Sequence, residues 1–423
     1  SSDVCSSDLN DLSLRARERN VNRLLVSEYE DFNAFQFWNK KTPKAGRVPK
    51  RFNVLNRVVD TADIQPNTGI NQTSLLNGGT FEFKLDTNDI SVIDHMFLCC
   101  NVTNSTGASV TLPPTPFWFE RYEIQDDNGS PLCTVTDVEN WLSVCMMPKN
   151  EFENYASYFG TTSAYSTAGV VIANGASREL YVPLLTFVNA VRLHLPGFVG
   201  NLRMKFYPNT SVTNLIAGTH PTFTKVALSL FGFDEDNEKR ERRTLEYRNQ
   251  IIGTQESALK IPFLDWVRIP FATTLTPSLM TSIKLQGSEG QVSGIFVVIR
   301  PAVLTAANQG SFIPLDSITV RDQSGTSFCG NMVKSHDRSR IIMMAQLEST
   351  AAANVNFYLI PFSSQIPTDF FVGQINGFQI FTGGETLEIT PRSNLTAGSY
   401  SVEVLLLRPS ILNIYRGQSK KEL

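Results

Sequence analysis

From Phe52 onward, apolar and polar residues alternate in short runs. Phe81-Glu-Phe-Lys-Leu85 has the period of two expected of a half-buried strand. Similar runs recur at Ser91–Cys100, Tyr122–Gln125, Leu180–Leu184, Leu202–Phe206 and Lys225–Phe233. After residue 250 the style repeats at Ser282–Leu285, Ile295–Ile299, Ser317–Val320, Asn356–Ile360, Thr386–Thr390 and Ser401–Leu407. Turn clusters such as Asp127-Asn128-Gly129 and Pro208-Asn-Thr-Ser211 separate the runs. Many short strands with turn signals predict a β-sandwich or jelly-roll architecture. Helices are expected only over Val138–Tyr158 and Pro367–Phe371.

The two β-rich stretches resemble each other. Residues 83–98 lie without gaps over residues 283–298, an offset of 200. Tyr122–Gly129 matches Ile318–Gly325 at offset 196, Leu180–Leu184 matches Tyr358–Phe362 at 178, and Val226–Phe233 matches the region of Val402–Leu407 at 176. The four pairs keep their order, which argues for an internal duplication. The one large jump, 18 residues, places an insertion in the first half between Pro131 and Arg178. It is expected to form a helix and then a long loop near Trp141–Asn174, at an outer or inter-subunit surface. Gly129 should then correspond to Gly325, and Pro183 to Pro361.

Ahead of the β region the pattern differs. Residues 1–9, Ser-Ser-Asp-Val-Cys-Ser-Ser-Asp-Leu, read as a translated sequencing adapter, so they are set aside and the true N-terminus is expected to be missing. Residues 10–51 carry a net charge of +5 against −6 for residues 52–423. Leu14, Val21, Leu25 and Phe32 fall on one helical face, and Pro43 and Pro49 end any helix. Arg15, Arg17, Arg19, Arg23, Lys40 and Lys41 flank that face, with Phe32, Phe35 and Trp38 beside them. A basic amphipathic arm of this kind docks on a neighbouring subunit or lies on an anionic membrane. Its basic runs are short and interrupted by Glu28, Glu30 and Asp31, which argues against direct genome packing. The remaining boundaries expected are 52–236 and 251–412 for the two β bodies, 237–250 for a solvated charged linker, and 413–423 for a tail.

Composition narrows the chemistry. Of the 423 residues, 42% are hydrophobic and only 18% charged, which excludes a disordered chain. A net charge of −3 gives no bulk attraction to nucleic acid, and no apolar run approaches the roughly 20 residues of a membrane span. Six scattered Cys and four scattered His form neither a zinc site nor a disulfide framework, so a soluble, reduced protein without cofactors or metals is expected. The acids Asp234, Asp236 and Glu238 open like a calcium loop, but Lys239 stands where such a loop needs glycine. No catalytic signature is present: GxSxG, HExxH, GxxxxGK[ST] and GxGxxG are all missing.

A basic helical arm, two β-rich halves and no catalytic motif together resemble the double jelly-roll major capsid proteins of tailless icosahedral DNA viruses. The resemblance covers residues 10–423. It is carried best by Thr115-Pro-Phe-Trp-Phe-Glu-Arg-Tyr-Glu-Ile-Gln-Asp-Asp-Asn-Gly129 and by residues 360–377, where a Pro-Phe strand end precedes a Gly-containing loop. The first stretch reads Glu-Ile where the family pattern has Ile-Glu, and the chain is shorter than members that carry larger tower loops. The resemblance implies an all-β fold: two tandem eight-stranded jelly rolls in one chain, with an N-terminal helical arm. It also implies a non-enzymatic structural protein of the virion that assembles as a homotrimer and then with neighbouring trimers. Penton proteins, minor capsid proteins and an internal membrane are the further partners it implies, without sequence-specific nucleic-acid binding.

Two other classes stay open on the residues alone. A carbohydrate-binding or adhesive β-sandwich would cluster exposed aromatics such as Trp118 or Trp266 in a groove. A β-rich glycoside hydrolase would set two carboxylates, for example Asp265 and Glu388, about 5–10 Å apart across a cleft.

Overall fold

The computed structural model describes residues 53–60, 80–85, 90–126, 128–145, 158–160, 169–184, 186–190, 193–198, 202–209, 221–234, 237–255, 258–304, 312–328, 332–333, 357–362, 379–415 and 418–422. The chain divides into a unit of residues 1–53, almost wholly outside those described, and a unit of residues 54–423. The first half of the larger unit carries β1 (Asn53–Asp60), β2 (Phe81–Lys84), β3 (Val92–Thr103), β4 (Val110–Leu112), β5 (Phe119–Gln125) and β6 (Pro131–Thr136). Helix α1 (Asp137–Cys145), β7 (Val170–Ile172), β8 (Ser177–Pro183), α2 (Phe187–Ala190), β9 (Arg203–Pro208) and β10 (Thr222–Asp234) follow. Helix α3 (Asn237–Ile252) leads to the second half. There lie β11 (Leu259–Leu275), β12 (Thr281–Lys284), β13 (Gly290–Val292), β14 (Gly294–Pro301), β15 (Leu315–Arg321) and β16 (Met332–Val333). The chain closes with β17 (Phe357–Pro361), β18 (Gln379–Phe381), β19 (Thr386–Pro391), β20 (Gly398–Tyr415) and β21 (Gln418–Glu422).

Two small ribbons, β4-β7 and β13-β18, stand apart from the main sheets. Without them, the first half forms sheets in the order β1-β10-β3-β8 and β2-β9-β5-β6. The second half forms β11-β20-β14-β17, extended by β21 on β20, and β12-β19-β15-β16. Ranked along the chain, the strands of each half pair first with eighth, second with seventh, third with sixth and fourth with fifth. That nesting is what results when one long antiparallel ribbon is rolled into two facing sheets, the jelly roll. The same order appears in both halves, so the duplication expected from the sequence is present in the topology.

The matched turns agree in atomic detail. Between β5 and β6, Gly129 N–H donates to Asp126 O at 3.0 Å, and Ser130 N–H donates to Asp126 Oδ1 at 2.8 Å. Between β15 and β16, Gly325 N–H donates to Asp322 O at 3.0 Å, and Thr326 N–H donates to Asp322 Oδ1 at 2.8 Å. Both glycines hold positive φ, 79° and 84°, which a side chain disfavours. Pro183 and Pro361 likewise end equivalent strands, opposite Phe97 on β3 and Gly294 on β14.

Period-two sequence becomes period-two burial in β2, β9 and β19, each with one face in the core. The Phe-rich composition supplies much of the filling. Phe81 stacks on Phe206 at 5.0 Å in the first half, with Phe83 edge-on, and Phe328 stacks on Phe381 at 5.4 Å in the second. In β14 the run Ile295–Ile299 is buried at every position, as are residues 402–408 of β20. A strand buried on both faces reads as a near-continuous apolar run, broken in residues 402–408 by the buried charges of Glu403 and Arg408.

Several expectations need correction. Helix α1 begins at Asp137 and ends at Cys145, and Val138, Trp141, Leu142 and Val144 are all buried. It is therefore an internal packing element rather than a surface feature of the insertion; residues 146–157 and 161–168 lie outside those described, as does the helix expected over 367–371. The stretch 237–250, expected as a solvated linker, is the helix α3. Its buried residues Arg243, Tyr247 and Ile251 recur every four positions and make a narrow inward stripe. The expected tail is strand as well, since β20 runs on to Tyr415 and β21 pairs back on it.

Gly197, in a 3₁₀ turn over Leu195–Gly197, lies directly against α3. A Cβ there would stand 2.3 Å from the Tyr247 Cβ. Gly197→Ala should therefore push α3 away and cost about 1–3 kcal/mol of stability. A thermal melt within a few tenths of a degree of the wild type would show that the helix gives way freely.

Candidate functional site

The junction between the halves is built from charge. Thr136 immediately precedes α1, and the Glu139 carboxyl reaches back to accept the Thr136 N–H at 2.6 Å, the return half of a capping box. That contact fixes the first turn and sets Asp137 beside β14 of the second half. Arg300, near the end of β14, donates from Nη1 to Asp137 Oδ2 at 2.7 Å. From Nε and Nη2 it donates to Glu403 Oε1 on β20, at 3.0 and 2.5 Å. Arg268 on β11 completes the row, with Nε 3.0 Å from Glu403 Oε2. The Arg268 N–H does not point at that oxygen, so the contact is coulombic rather than a hydrogen bond.

Three of these groups are almost without water, whereas Arg268 is partly exposed. The side chains of Asp137, Arg300 and Glu403 are 5%, 4% and 1% exposed. Burial works against the Arg300 charge, but Asp137 and then Glu403 outweigh it and raise the guanidinium pKa. Burial also dominates at Glu139 and pushes its carboxyl up to about 8; the Thr136 N–H and Arg268 act in the opposite direction, and Asp265 adds to the rise. At pH 7 Glu139 is thus mostly protonated. The halves also meet through an apolar contact, in which Phe187 of α2 packs on Phe263 of β11 with ring centres 5.3 Å apart.

A second contact surface joins α3 to the first half. His194 Nε2 lies 3.0 Å from Thr244 Oγ1, and the His194 ring meets Tyr247 edge-on at 5.6 Å. Thr244 already donates its hydroxyl proton to Arg240 O at 2.7 Å, so it accepts from His194, which places the imidazole proton on Nε2. His194 thus serves the contact between α3 and the first half.

Outward-facing apolar side chains gather on loops. Leu279 and Met280 lie between β11 and β12, and Val303 lies just past β14; all three are exposed. The first loop is tied to the end of β19 by Ser278 N–H donating to Pro391 O, and the second to the start of β20 by Ala302 N–H donating to Ser399 O. The loops therefore share one end of the second jelly roll. Val171 on β7 and Ile380 on β18 are exposed on the two ribbons.

None of the residues singled out for chemistry in the rival classes is arranged for it. Trp118 and Trp266 are 1% and 7% exposed, so neither lines an open groove. Asp265 is buried on β11, whereas Glu388 belongs to the other sheet and is held by Arg321 Nε at 2.8 Å. Among the described residues no group of His, Cys, Asp and Glu could hold a metal ion, and no helix is long and apolar enough to cross a membrane. The arm residues Arg15, Arg17, Arg19, Arg23, Phe32, Phe35, Trp38, Lys40 and Lys41 lie outside the described residues. The charged junction was missed in the sequence, although two signals were available. Thr136-Asp-Val-Glu139 has capping-box spacing, and Arg300 is a lone charge at the end of an apolar strand.

Two jelly rolls of the same strand order, joined in one chain and packed on each other, define the double jelly-roll fold. Solved structures with the same architecture are viral capsid proteins. The chain is similar to PBCV-1 VP54, as fitted into a reconstruction of the virophage Sputnik, with a TM-score of 0.63 and 14% identity over 89% of this chain and 98% of that one. A match to the PBCV-1 virus capsid gives 0.60 and 14% over 88% and 97%, and the Faustovirus major capsid protein gives 0.59 and 10% over 94% and 99%. No protein-family model and no curated protein sequence matches the chain.

Proposed function

We propose that this chain is the major capsid protein of an icosahedral DNA virus, located in the virion and acting by self-assembly rather than catalysis. The observation that carries the reading is the repeated strand order within one chain, together with the likeness of that whole arrangement to capsid proteins over nearly their full length. Three copies of a two-barrel chain present six similar barrels around a threefold axis. Such a block has a nearly sixfold outline and can tile a closed shell among six neighbours. The exposed apolar loops at Leu279, Met280 and Val303 offer contact surface for this packing. Penton and minor capsid proteins, which close such a shell, complete the partner set.

The basic arm of residues 10–51 acts on the inner face of the shell, against neighbouring subunits or an internal membrane. Arg15, Arg17, Arg19, Arg23, Lys40 and Lys41 provide the charge, and Phe32, Phe35 and Trp38 the apolar anchor.

Size-exclusion chromatography with light scattering should give a stable particle of three times the 47.1 kDa chain mass, and electron microscopy should show closed shells. A strictly monomeric chain that never assembles would overturn the reading. A truncation starting at Phe52 should still fold and trimerise but fail to close shells. Normal shells from that truncation would remove the arm from the proposal.

A further inference from the structure

Apolar contact between two jelly rolls is strong but nearly without direction, so it leaves their mutual angle weakly determined. The charged row is different. Arg300 uses one edge of a rigid planar fork for Glu403 within its own sheet and the remaining nitrogen for Asp137 of the other half. Asp137 is in turn held by the first turn of α1, which Glu139 clamps through the Thr136 N–H. A buried ion pair contributes little net stability compared with apolar side chains of similar volume, because desolvation offsets its attraction. It does penalise every arrangement in which one of its charges is left unmatched, as in coiled coils whose register is set by a buried polar residue. A small rotation of one half against the other would separate Asp137 from Arg300 while the apolar contact of Phe187 with Phe263 slid at little cost.

We infer that Arg300 is the positioning residue of the molecule: through Asp137 and Glu403 it sets the angle between the two jelly rolls. Given the capsid reading above, on which this further step rests, the same angle sets the outline of the block that tiles the shell. The role is orientation rather than stability, and the two can be separated.

The test compares stability with inter-barrel geometry. Nitroxide labels go at Ser130→Cys and Ser324→Cys, exposed positions on the equivalent β5–β6 and β15–β16 turns. Cys5, Cys145 and Cys329 are replaced by serine; Cys99, Cys100 and Cys133 are buried and stay. Pulsed dipolar spectroscopy, with labelled chain diluted in unlabelled chain, then reads the distance between the halves whether or not shells form. The full-length chain should give one narrow distance. The triple variant Asp137→Leu/Arg300→Met/Glu403→Leu should melt at or above the wild-type temperature yet give a distribution at least twice as broad. Arg300→Lys keeps the charge but loses the fork, and it should also broaden the distribution, so the test survives if the triple variant fails to fold. A narrow, unshifted distance in either variant would overturn the proposal and assign the angle to apolar packing. If the wild type gives a narrow distance but never assembles, the capsid reading fails while the positioning role stands.

Discussion

Arg300→Met should destabilise the chain by about 3–5 kcal/mol, the cost of leaving buried carboxylates without their partner. Asp137 loses its hydrogen bond from Arg300, and Glu403 keeps only the coulombic contact of Arg268, whose N–H points elsewhere. Both carboxylates stay in a dry junction, where they must be protonated or drag in water. Asp137→Asn should cost less, about 1–3 kcal/mol, because the Glu403–Arg300 pair survives and the amide oxygen can still accept from Nη1. Urea unfolding of the trimer or chain at pH 7, followed by tryptophan fluorescence, checks both. Trp266 is suited to the purpose, because it sits on β11 directly opposite Leu407 and packs against Phe296. Equal midpoints for Arg300→Met and the wild type would mean that the junction is wet in solution.

Stability should also fall as pH rises towards 8, owing to Glu139. Its carboxyl has an ordinary value near 4.5 in the unfolded chain and is pushed up to about 8 in the folded one, chiefly by burial. Below pH 4.5 both states hold the proton and Glu139 contributes no pH dependence. Between 4.5 and 8 the folded state binds more protons than the unfolded state, so each rise in pH favours unfolding. Above 8 both states are ionised and the loss is complete. Linkage puts that loss on the order of 5 kcal/mol across the window. Glu139→Gln retains an oxygen for the Thr136 N–H and carries no charge, so it should match the wild type near pH 4.5 and exceed it increasingly up to pH 8. Denaturation midpoints at a series of pH values read this directly. Parallel profiles for the two proteins would mean that the native carboxyl is already ionised, with Arg268 outweighing burial and Asp265.

How much of this was readable in advance depended on where each residue's neighbours lie. The twelve strands expected from local pattern all formed, because a half-buried strand alternates and a fully buried one is a short apolar run, both visible without knowledge of the partners. The longest strand of the first sheet in the second half after β20, β11, was missed. It contains Pro262 and Pro270, which a central strand would not accommodate; among the described residues β11 pairs on one side only, with β20, and an edge strand tolerates the missing N–H. Helix α3 was missed for a related reason. Its sequence, Asn237-Glu-Lys-Arg-Glu-Arg-Arg-Thr-Leu-Glu-Tyr-Arg, is too polar to advertise a buried face, and the single stripe of Arg243, Tyr247 and Ile251 has meaning only against Gly197 and His194.

By itself the sequence determined the β class, the duplication and the turns at Gly129 and Gly325, since period, order and glycine at positive φ are local properties of the chain. The tertiary structure alone decided how the halves meet. Asp137, Arg300 and Glu403 are 163 and 103 residues apart, each unremarkable in its own segment, and they become a charged junction only when α1, β14 and β20 converge. Electrostatic pairing in a dry interior depends on distance through space, and the order of residues along the chain does not encode that distance until the sheets have packed.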